Sequence, residues 1–428
     1  MNCLSIEGGN RLDGRVAISG AKNSALKLMA ASLLARGHTV LYNVPRISDV
    51  FTMVEMLERL GASVSFDEDV LWIDTTGDLS TEAPYDLVRR MRASINVLGP
   101  LLARCGHARV AMPGGCNIGN RAIDMHEAAL NQLGVTFAFD HGYLEGIAPR
   151  LQGKRVVLEF PSRGATENLL TASVLAEGVT TIENAAREPD IIDLANFLNA
   201  MGARVEGAGT STIRATGVTE LSSADHRVSP DPIEAGTLAL ATLVTGGEVE
   251  LVGARAADMD MFLEKVVRSG AHWESTDSGI YLSIDRRPKA TDFATLPYPG
   301  FPTDLQPQMM AYLSVAEGTS IITENVFESR FQHVSELARM GADIRVEGHH
   351  AVVKGVAGLQ GAPVHAPDLR GGAALVIAAL AADGRTEIHD FFHVERGYED
   401  LPGKLRALGA GVDGRSYVGR RRFKPLQY

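Results

Sequence analysis

Apolar positions along this chain alternate between long runs at helical spacing and short stretches of strand-like alternation, and the alternation itself recurs. The first full cycle occupies residues 24–73. The segment from Ser24-Ala25-Leu26-Lys27-Leu28-Met29 through Leu33-Leu34-Ala35-Arg36 is rich in alanine and leucine and runs into Gly37, which predicts a helix capped by that glycine. It is apolar on nearly every side, so burial is expected. Thr39-Val40-Leu41-Tyr42-Asn43 reads as a short strand, and Val50 to Leu60 as an amphipathic helix closed by Gly61. Ser63-Val64-Ser65-Phe66 and Val70-Leu71-Trp72-Ile73 read as two further strands.

The closing phrase Leu60-Gly61-Ala62 returns as Leu133-Gly134-Val135, Met201-Gly202-Ala203, Ser269-Gly270-Ala271, Met340-Gly341-Ala342 and Leu408-Gly409-Ala410, about every 70 residues. Gly37, Gly106, Gly178, Gly247, Gly318 and Gly384 keep step with it. Two series in register indicate six copies of one supersecondary unit. Strands outside and a buried helix inside each copy are unlike a doubly wound parallel sheet. At 428 residues the chain exceeds one ordinary core. The expectation is an α/β protein of two domains with three copies each.

The start of each buried helix carries the first chemical signal. Counting back 14 or 15 positions from the second glycine series reaches Lys22, Arg92, Arg163, Pro232, Asp304 and Arg370. Cations are disfavoured in a helix's first turn, whereas anions bind there. Their recurrence therefore suggests a ligand anion at these helix ends. A second signal is Pro113-Gly114-Gly115-Cys116-Asn117-Ile118-Gly119-Asn120-Arg121, a glycine-rich loop with a thiol at its centre and a guanidinium five residues on. Fixed positive charge stabilises a thiolate, and a loop lets substrate reach it.

Composition narrows the class. Hydrophobic residues make up 45% and charged residues 22%, as in soluble globular proteins. A formal net charge of −11 argues against a general nucleic-acid binder, although a few cations in one cleft can still hold a small anion. No run is long and apolar enough for membrane insertion, and the first residues lack a signal-peptide pattern. Cys3, Cys105 and Cys116 make neither a disulfide framework nor a zinc spacing, which points to a reducing cytoplasm. Cys105 reads as an inert buried thiol, and Cys3 receives no role. Arg420-Arg421-Arg422 with Lys424 reads as a solvated tail.

Ile18-Ser19-Gly20-Ala21-Lys22-Asn23-Ser24, Met91-Arg92-Ala93-Ser94, the Cys116 loop and Asn184-Ala185-Ala186-Arg187-Glu188-Pro189 follow one another along the chain. Phe301-Pro302-Thr303-Asp304-Leu305-Gln306, Phe327-Glu328-Ser329-Arg330-Phe331, Asp368-Leu369-Arg370 and Arg396-Gly397-Tyr398-Glu399 continue the series. Over nearly its whole length the chain resembles the enolpyruvyl transferases that act on UDP-N-acetylglucosamine in peptidoglycan precursor synthesis. The resemblance implies a two-domain inside-out α/β barrel of six βαβαββ repeats, three per domain. It implies domains of 22–229 and of 1–21 with 230–428, the buried helices pointing into the cleft between them.

The implied reaction moves the enolpyruvyl group of phosphoenolpyruvate to the 3-hydroxyl of UDP-N-acetylglucosamine and releases phosphate. By resemblance Lys22, Arg121 and Arg396 hold the phosphate end, and Arg330 and Arg370 the carboxylate side. Cys116 resembles the general acid, which can also form a covalent adduct and is alkylated by fosfomycin. Asp304 resembles the carboxylate that meets the sugar hydroxyl and serves as base. Further substrate contacts implied are Asn23, Arg92, Asp124, Ser162, Arg163, Gly164, Glu188, Val326 and Asp368. No metal or organic cofactor is implied. Arg163, Pro232, Asn117 and Asn120 depart from the family pattern. The first two leave open a paralogue acting on another uridine nucleotide such as UMP. A catalytically dead binding protein is disfavoured by the intact Lys22, Asn23, Cys116, Asp304 and Arg396. A shikimate-type acceptor is disfavoured by the cysteine loop.

Overall fold

The computed structural model describes residues 3–112 and 123–414. Cys116, Asn117, Asn120, Arg121 and the basic tail lie outside the described residues. The chain forms two compact units, one of residues 20–229 and the other of 3–19 with 230–414.

Each unit contains three four-stranded sheets built alike. In one of them Glu82–Ala83 runs parallel to His107–Ala111, which pairs antiparallel with Tyr143–Ile147, itself antiparallel to Thr136–Asp140. The Leu98–Cys105 helix precedes the second strand and the Asp124–Gln132 helix follows it. A parallel pair needs a crossover connection, whereas the last two strands are joined by a tight hairpin, and this asymmetry defines the βαβαββ repeat.

Each unit borrows a strand to complete its three sheets. In the 20–229 unit His226–Arg227 runs parallel to His38–Tyr42. Asp193 holds this return, accepting from Ser24 Oγ at 2.6 Å and Ser229 N at 3.1 Å, with His226 Nε2 at 2.8 Å. In the other unit Cys3–Glu7 lies between Arg385–His389 and Gly411–Asp413, and Asp13–Ala17 pairs parallel with Glu248–Val252.

The recurring Gly-Ala phrase has one physical cause. Gly61, Gly134, Gly202, Gly270, Gly341 and Gly409 all adopt φ between +92° and +103°. This is the left-handed position that ends a helix in a Schellman turn. The residue after each glycine donates back to a carbonyl five residues earlier, from Ala62 N to Leu57 O at 3.0 Å through to Ala410 N to Leu405 O at 3.0 Å. The second glycine series behaves differently from the expectation. Only Gly106, with φ +70°, caps a helix directly. The Lys22–Ala31 helix passes into a 3₁₀ turn, Ser32–Leu34, before Gly37 is reached. Gly178, Gly318 and Gly384 likewise sit in the turn to the next strand.

The most buried helices carry the core. Pro232–Leu243, Gln306–Leu313 and Leu369–Ala381 pack on one another, and Leu98–Cys105 packs on Arg163–Ser173. Leu238, Leu240, Leu313 and Leu375 are completely buried. Each such side chain contributes about 1.5–3 kcal/mol. Cys105 is a correction to the sequence reading. It is the last residue of its helix, directly before the left-handed Gly106 cap, and is exposed.

Candidate active site

All six positions reached by counting back fall within the first two residues of a helical segment. Lys22, Arg163 and Pro232 open α-helices, and Arg370 is the second residue of one. Arg92 and Asp304 lie in 3₁₀ turns that lead into α-helices. Lys22, Arg163 and Arg370 meet carboxylates of the protein itself. Lys22 Nζ lies 2.7 Å from Asp49 Oδ2 in the neighbouring helix's first turn. These three cations are thus partly compensated within the protein. Pro232 has a structural explanation as well. It occupies N1, where a missing N–H costs nothing, and Asp231 caps the helix by accepting from Ile233 N at 2.7 Å.

The 20–229 unit also holds a buried charge network that sequence reasoning missed. Lys27, only 5% exposed, reaches Glu167 Oε1 at 2.6 Å and also pairs with Asp190. Burial pulls its ammonium down to about 8, against the opposing pull of Glu167. Burial pushes the Glu167 carboxyl up. Arg163 borders this network, with Glu188 Oε1 at 3.6 Å and Asp190 Oδ2 at 3.7 Å. Ser162 caps the Arg163–Ser173 helix by accepting from Ala165 N at 3.3 Å. Gly164 faces the His126 ring so closely that a Cβ there would lie 2.9 Å from Cε1. His126 Nδ1 in turn is 2.9 Å from Asn168 Nδ2. Asn23 and Arg92 are half-buried, and Asp124 is exposed at the start of its helix.

In the other unit one carboxylate is gripped by two buried guanidiniums. Asp304 Oδ1 accepts from Arg330 Nη2 at 2.8 Å, and Oδ2 accepts from Arg370 Nη2 at 3.1 Å. The arginines are 3% and 5% exposed while Asp304 is 26% exposed, so the carboxylate is the accessible member. Burial opposes the Arg370 charge, but Asp304, Tyr398 and Asp231 outweigh it and raise its pKa above the ordinary arginine value. Asp368 caps the Leu369–Ala381 helix, accepting from Arg370 N at 2.8 Å and Gly371 N at 3.1 Å. Gln308 donates to Asp304 O at 2.9 Å and to Tyr398 Oη at 3.0 Å. Arg396 ends a 3₁₀ turn and is half-buried.

Glu324 is missed as well. Buried, it accepts from Thr295 Oγ1 at 2.8 Å, Thr303 Oγ1 at 3.0 and 3.1 Å, Val326 N at 2.9 Å and Phe327 N at 3.1 Å. It thus ties the residue before Asp304 to the Val326 turn. So is His333, fully buried next to Gly371, with Asp368 and Arg330 as its charged neighbours. Burial lowers its imidazole from 6.5 to about 4, Asp368 only partly opposing this. An unfolded chain therefore takes up a proton that the fold refuses between these values. Stability is expected to fall as pH drops from about 6.5 to about 4, by roughly 3 kcal/mol from this group. Thermal melts of wild type and His333→Gln across that window check it. The wild-type advantage should shrink toward acid pH, and a constant difference would count against it.

Within the 20–229 unit, Arg163 and Glu188 thus meet directly, as do Gly164 and the His126 ring. Within the other, Asp304, Arg330 and Arg370 form one cluster, with Asp368 holding the backbone of Arg370. Lys27, Glu167, Glu324 and His333 gave no sequence signal beyond lying near the singled-out positions, because each acts through partners distant in the chain.

The sequence profile described as EPSP synthase (3-phosphoshikimate 1-carboxyvinyltransferase) matches residues 6–405. A Corynebacterium jeikeium protein named UDP-N-acetylglucosamine 1-carboxyvinyltransferase is 51% identical over 408 residues, 95% of this chain and 98% of its own. The Mycobacterium tuberculosis protein of the same name is 52% identical, over 95% of this chain and 98% of its own. Among solved structures, the enolpyruvyl transferase NikO from Streptomyces tendae superposes with a TM-score of 0.87 at 26% identity, covering 97% of this chain and 99% of its own. An EPSP synthase from Acinetobacter baumannii has the same fold, with a TM-score of 0.73 at 18% identity over 97% of this chain and 100% of its own.

Proposed function

This chain belongs to the EPSP synthase family of carboxyvinyltransferases, and from that membership we propose that it transfers the enolpyruvyl group of phosphoenolpyruvate to the 3-hydroxyl of UDP-N-acetylglucosamine. The observation that carries this choice of acceptor is identity of 51% and 52% across nearly the full length of relatives named for that reaction. The product feeds peptidoglycan precursor synthesis, and the compartment is the cytoplasm.

The sugar 3-hydroxyl oxygen attacks C2 of phosphoenolpyruvate while C3 takes up a proton. The resulting tetrahedral ketal then loses phosphate, and C3 gives a proton back, which leaves the enolpyruvyl ether. Asp304 is assigned to the hydroxyl proton. Its two arginines fix the carboxylate in place while leaving it accessible. Cys116 is assigned to the proton at C3. Lys22, Arg121 and Arg396 are assigned to the phosphate, and Arg330 and Arg370 to the carboxylate side, where bidentate guanidiniums suit both anions. Charge that develops on the departing phosphate is stabilised by such preset cations. Asn23, Arg92, Asp124, Ser162, Arg163, Gly164, Glu188, Val326 and Asp368 are assigned to the nucleotide sugar and its surroundings.

Arg163 and Pro232 keep a second acceptor, another uridine nucleotide such as UMP, under test. Phosphate release from phosphoenolpyruvate is to be compared with UDP-N-acetylglucosamine, UMP, shikimate 3-phosphate and no acceptor. Turnover with the UDP-sugar alone, abolished by fosfomycin with a single adduct on Cys116, is expected. Turnover with UMP alone would move the acceptor, and silence with all would overturn the enzyme assignment.

A further inference from the structure

The opening strand of the chain carries a thiol into the sheet of the last repeat, and what it meets there is a set of metal-binding side chains. Cys3 pairs directly with His389 across the antiparallel ladder, and Ser5 with Glu387. On the other side of the Arg385–His389 strand, His365 pairs with His389 in parallel register. Side chains alternate between faces of a strand. Leu4, Ile6, Ile388 and Val364 therefore enter the core, fully buried, while Cys3, Glu387, His389 and His365 share the outer face.

On that face the Cys3 thiol, a Glu387 carboxylate oxygen and a ring nitrogen of His389 lie within 4.8 Å of one another. Among the described residues this is the one such group of three metal-binding side chains. Cys3 lies 384 positions before Glu387 and 386 before His389, so no spacing motif announces the group. The rings of His389 and His365 stack at 4.9 Å and 26°, and His365 Nδ1 is anchored 2.9 Å from Asp390 Oδ2. The His389 ring is thereby held over the cluster. Competition is weak: Cys3 Sγ has only a 3.9 Å contact to Leu4 O, and Glu387 a 3.7 Å ion pair to Arg385.

We propose that Cys3, Glu387 and His389 form a zinc site on the outer face of this sheet, separate from the transferase machinery. Thiolate, imidazole and carboxylate together suit zinc and disfavour magnesium or calcium, which take oxygen donors alone. Bonds of about 2.0–2.3 Å in a tetrahedron place donors about 3.3–3.8 Å apart, so small side-chain rotations close the set. Water takes the fourth position. On binding, the Cys3 thiol passes its proton to solvent and coordinates as thiolate, and no electron is transferred. The metal clips the first strand to the last full repeat, where otherwise backbone hydrogen bonds and Leu4 and Ile6 hold it.

The test uses the full-length protein stripped with chelator and titrated with cobalt(II), then with zinc. One equivalent of cobalt with a thiolate-to-cobalt charge-transfer band, displaced by zinc, is expected. Cys3→Ser should remove the band, and His389→Gln should weaken zinc uptake at least tenfold, while Cys105→Ser leaves both unchanged. Zinc should also slow amide exchange in residues 4–7, with phosphate-release rates of Cys3→Ser equal to wild type. No stoichiometric binding overturns the proposal. So does a band that survives Cys3→Ser, which would locate the thiolate at another cysteine, or uptake that calcium and magnesium match.

Discussion

Asp304→Asn is expected to lower kcat for phosphate release by about 10²–10⁴-fold, the range for losing a positioned acid–base group. Asparagine keeps the size and one acceptor oxygen but cannot take the hydroxyl proton. KM for phosphoenolpyruvate should change far less than kcat, because Arg330 and Arg370 remain. Asp304→Ala separates chemistry from scaffolding. It leaves two guanidiniums, 3% and 5% exposed, without their shared carboxylate. Removing one partner of a buried ion pair costs about 3–5 kcal/mol. The alanine variant should therefore melt well below the asparagine variant, which can still accept one hydrogen bond, while both are equally slow. Steady-state kinetics with melting curves on the three proteins check this. An asparagine variant within threefold of wild-type kcat would remove Asp304 from the proton transfer. An alanine variant that melts like wild type would show that the arginine pairings add nothing to the fold.

The repeat was readable because its punctuation is chemical. Only glycine tolerates the left-handed φ that ends each amphipathic helix, so the Gly61 series had to appear in the sequence. The Gly37 series was legible as a repeat but misleading as helix caps. A buried apolar stretch looks helical throughout, and nothing in Ser32-Leu33-Leu34 shows that the last turn tightens to 3₁₀. Positions at helix starts were found by counting, and Asp304 and Arg370 do meet. What the sequence could not supply was their partners. Asp49 beside Lys22, Glu324 under the Val326 turn and His333 behind Arg370 depend on contacts between distant segments. Cys3 is silent in the sequence for the same reason, since its neighbours come from the other end of the chain.

Lys27 shows how large such a hidden pairing is. In sequence it is one lysine in a helix expected to be buried, with no partner in sight. In the fold it is 5% exposed and serves two carboxylates, Glu167 and Asp190, which are 6% and 9% exposed. Lys27→Met preserves length and apolar volume but leaves both carboxylates buried without their ammonium. The expected destabilisation is about 3–5 kcal/mol, the cost of breaking a buried pair from one side. Glu167 would relieve part of this by taking a proton, since burial already pushes its carboxyl up. The loss should accordingly be smaller at pH 5 than at pH 8, because the neutral acid needs no counter-ion. Lys27→Met with Glu167→Gln should recover much of it, as replacing both members of a buried pair is often nearly neutral. Melting temperatures of the single and double variants at both pH values decide the matter. Equal losses in single and double variants would mean that pairing with Glu167 is not what Lys27 contributes, since methionine keeps the packing of its stem. Undiminished loss at pH 5 would assign the uncompensated charge to Asp190 rather than Glu167.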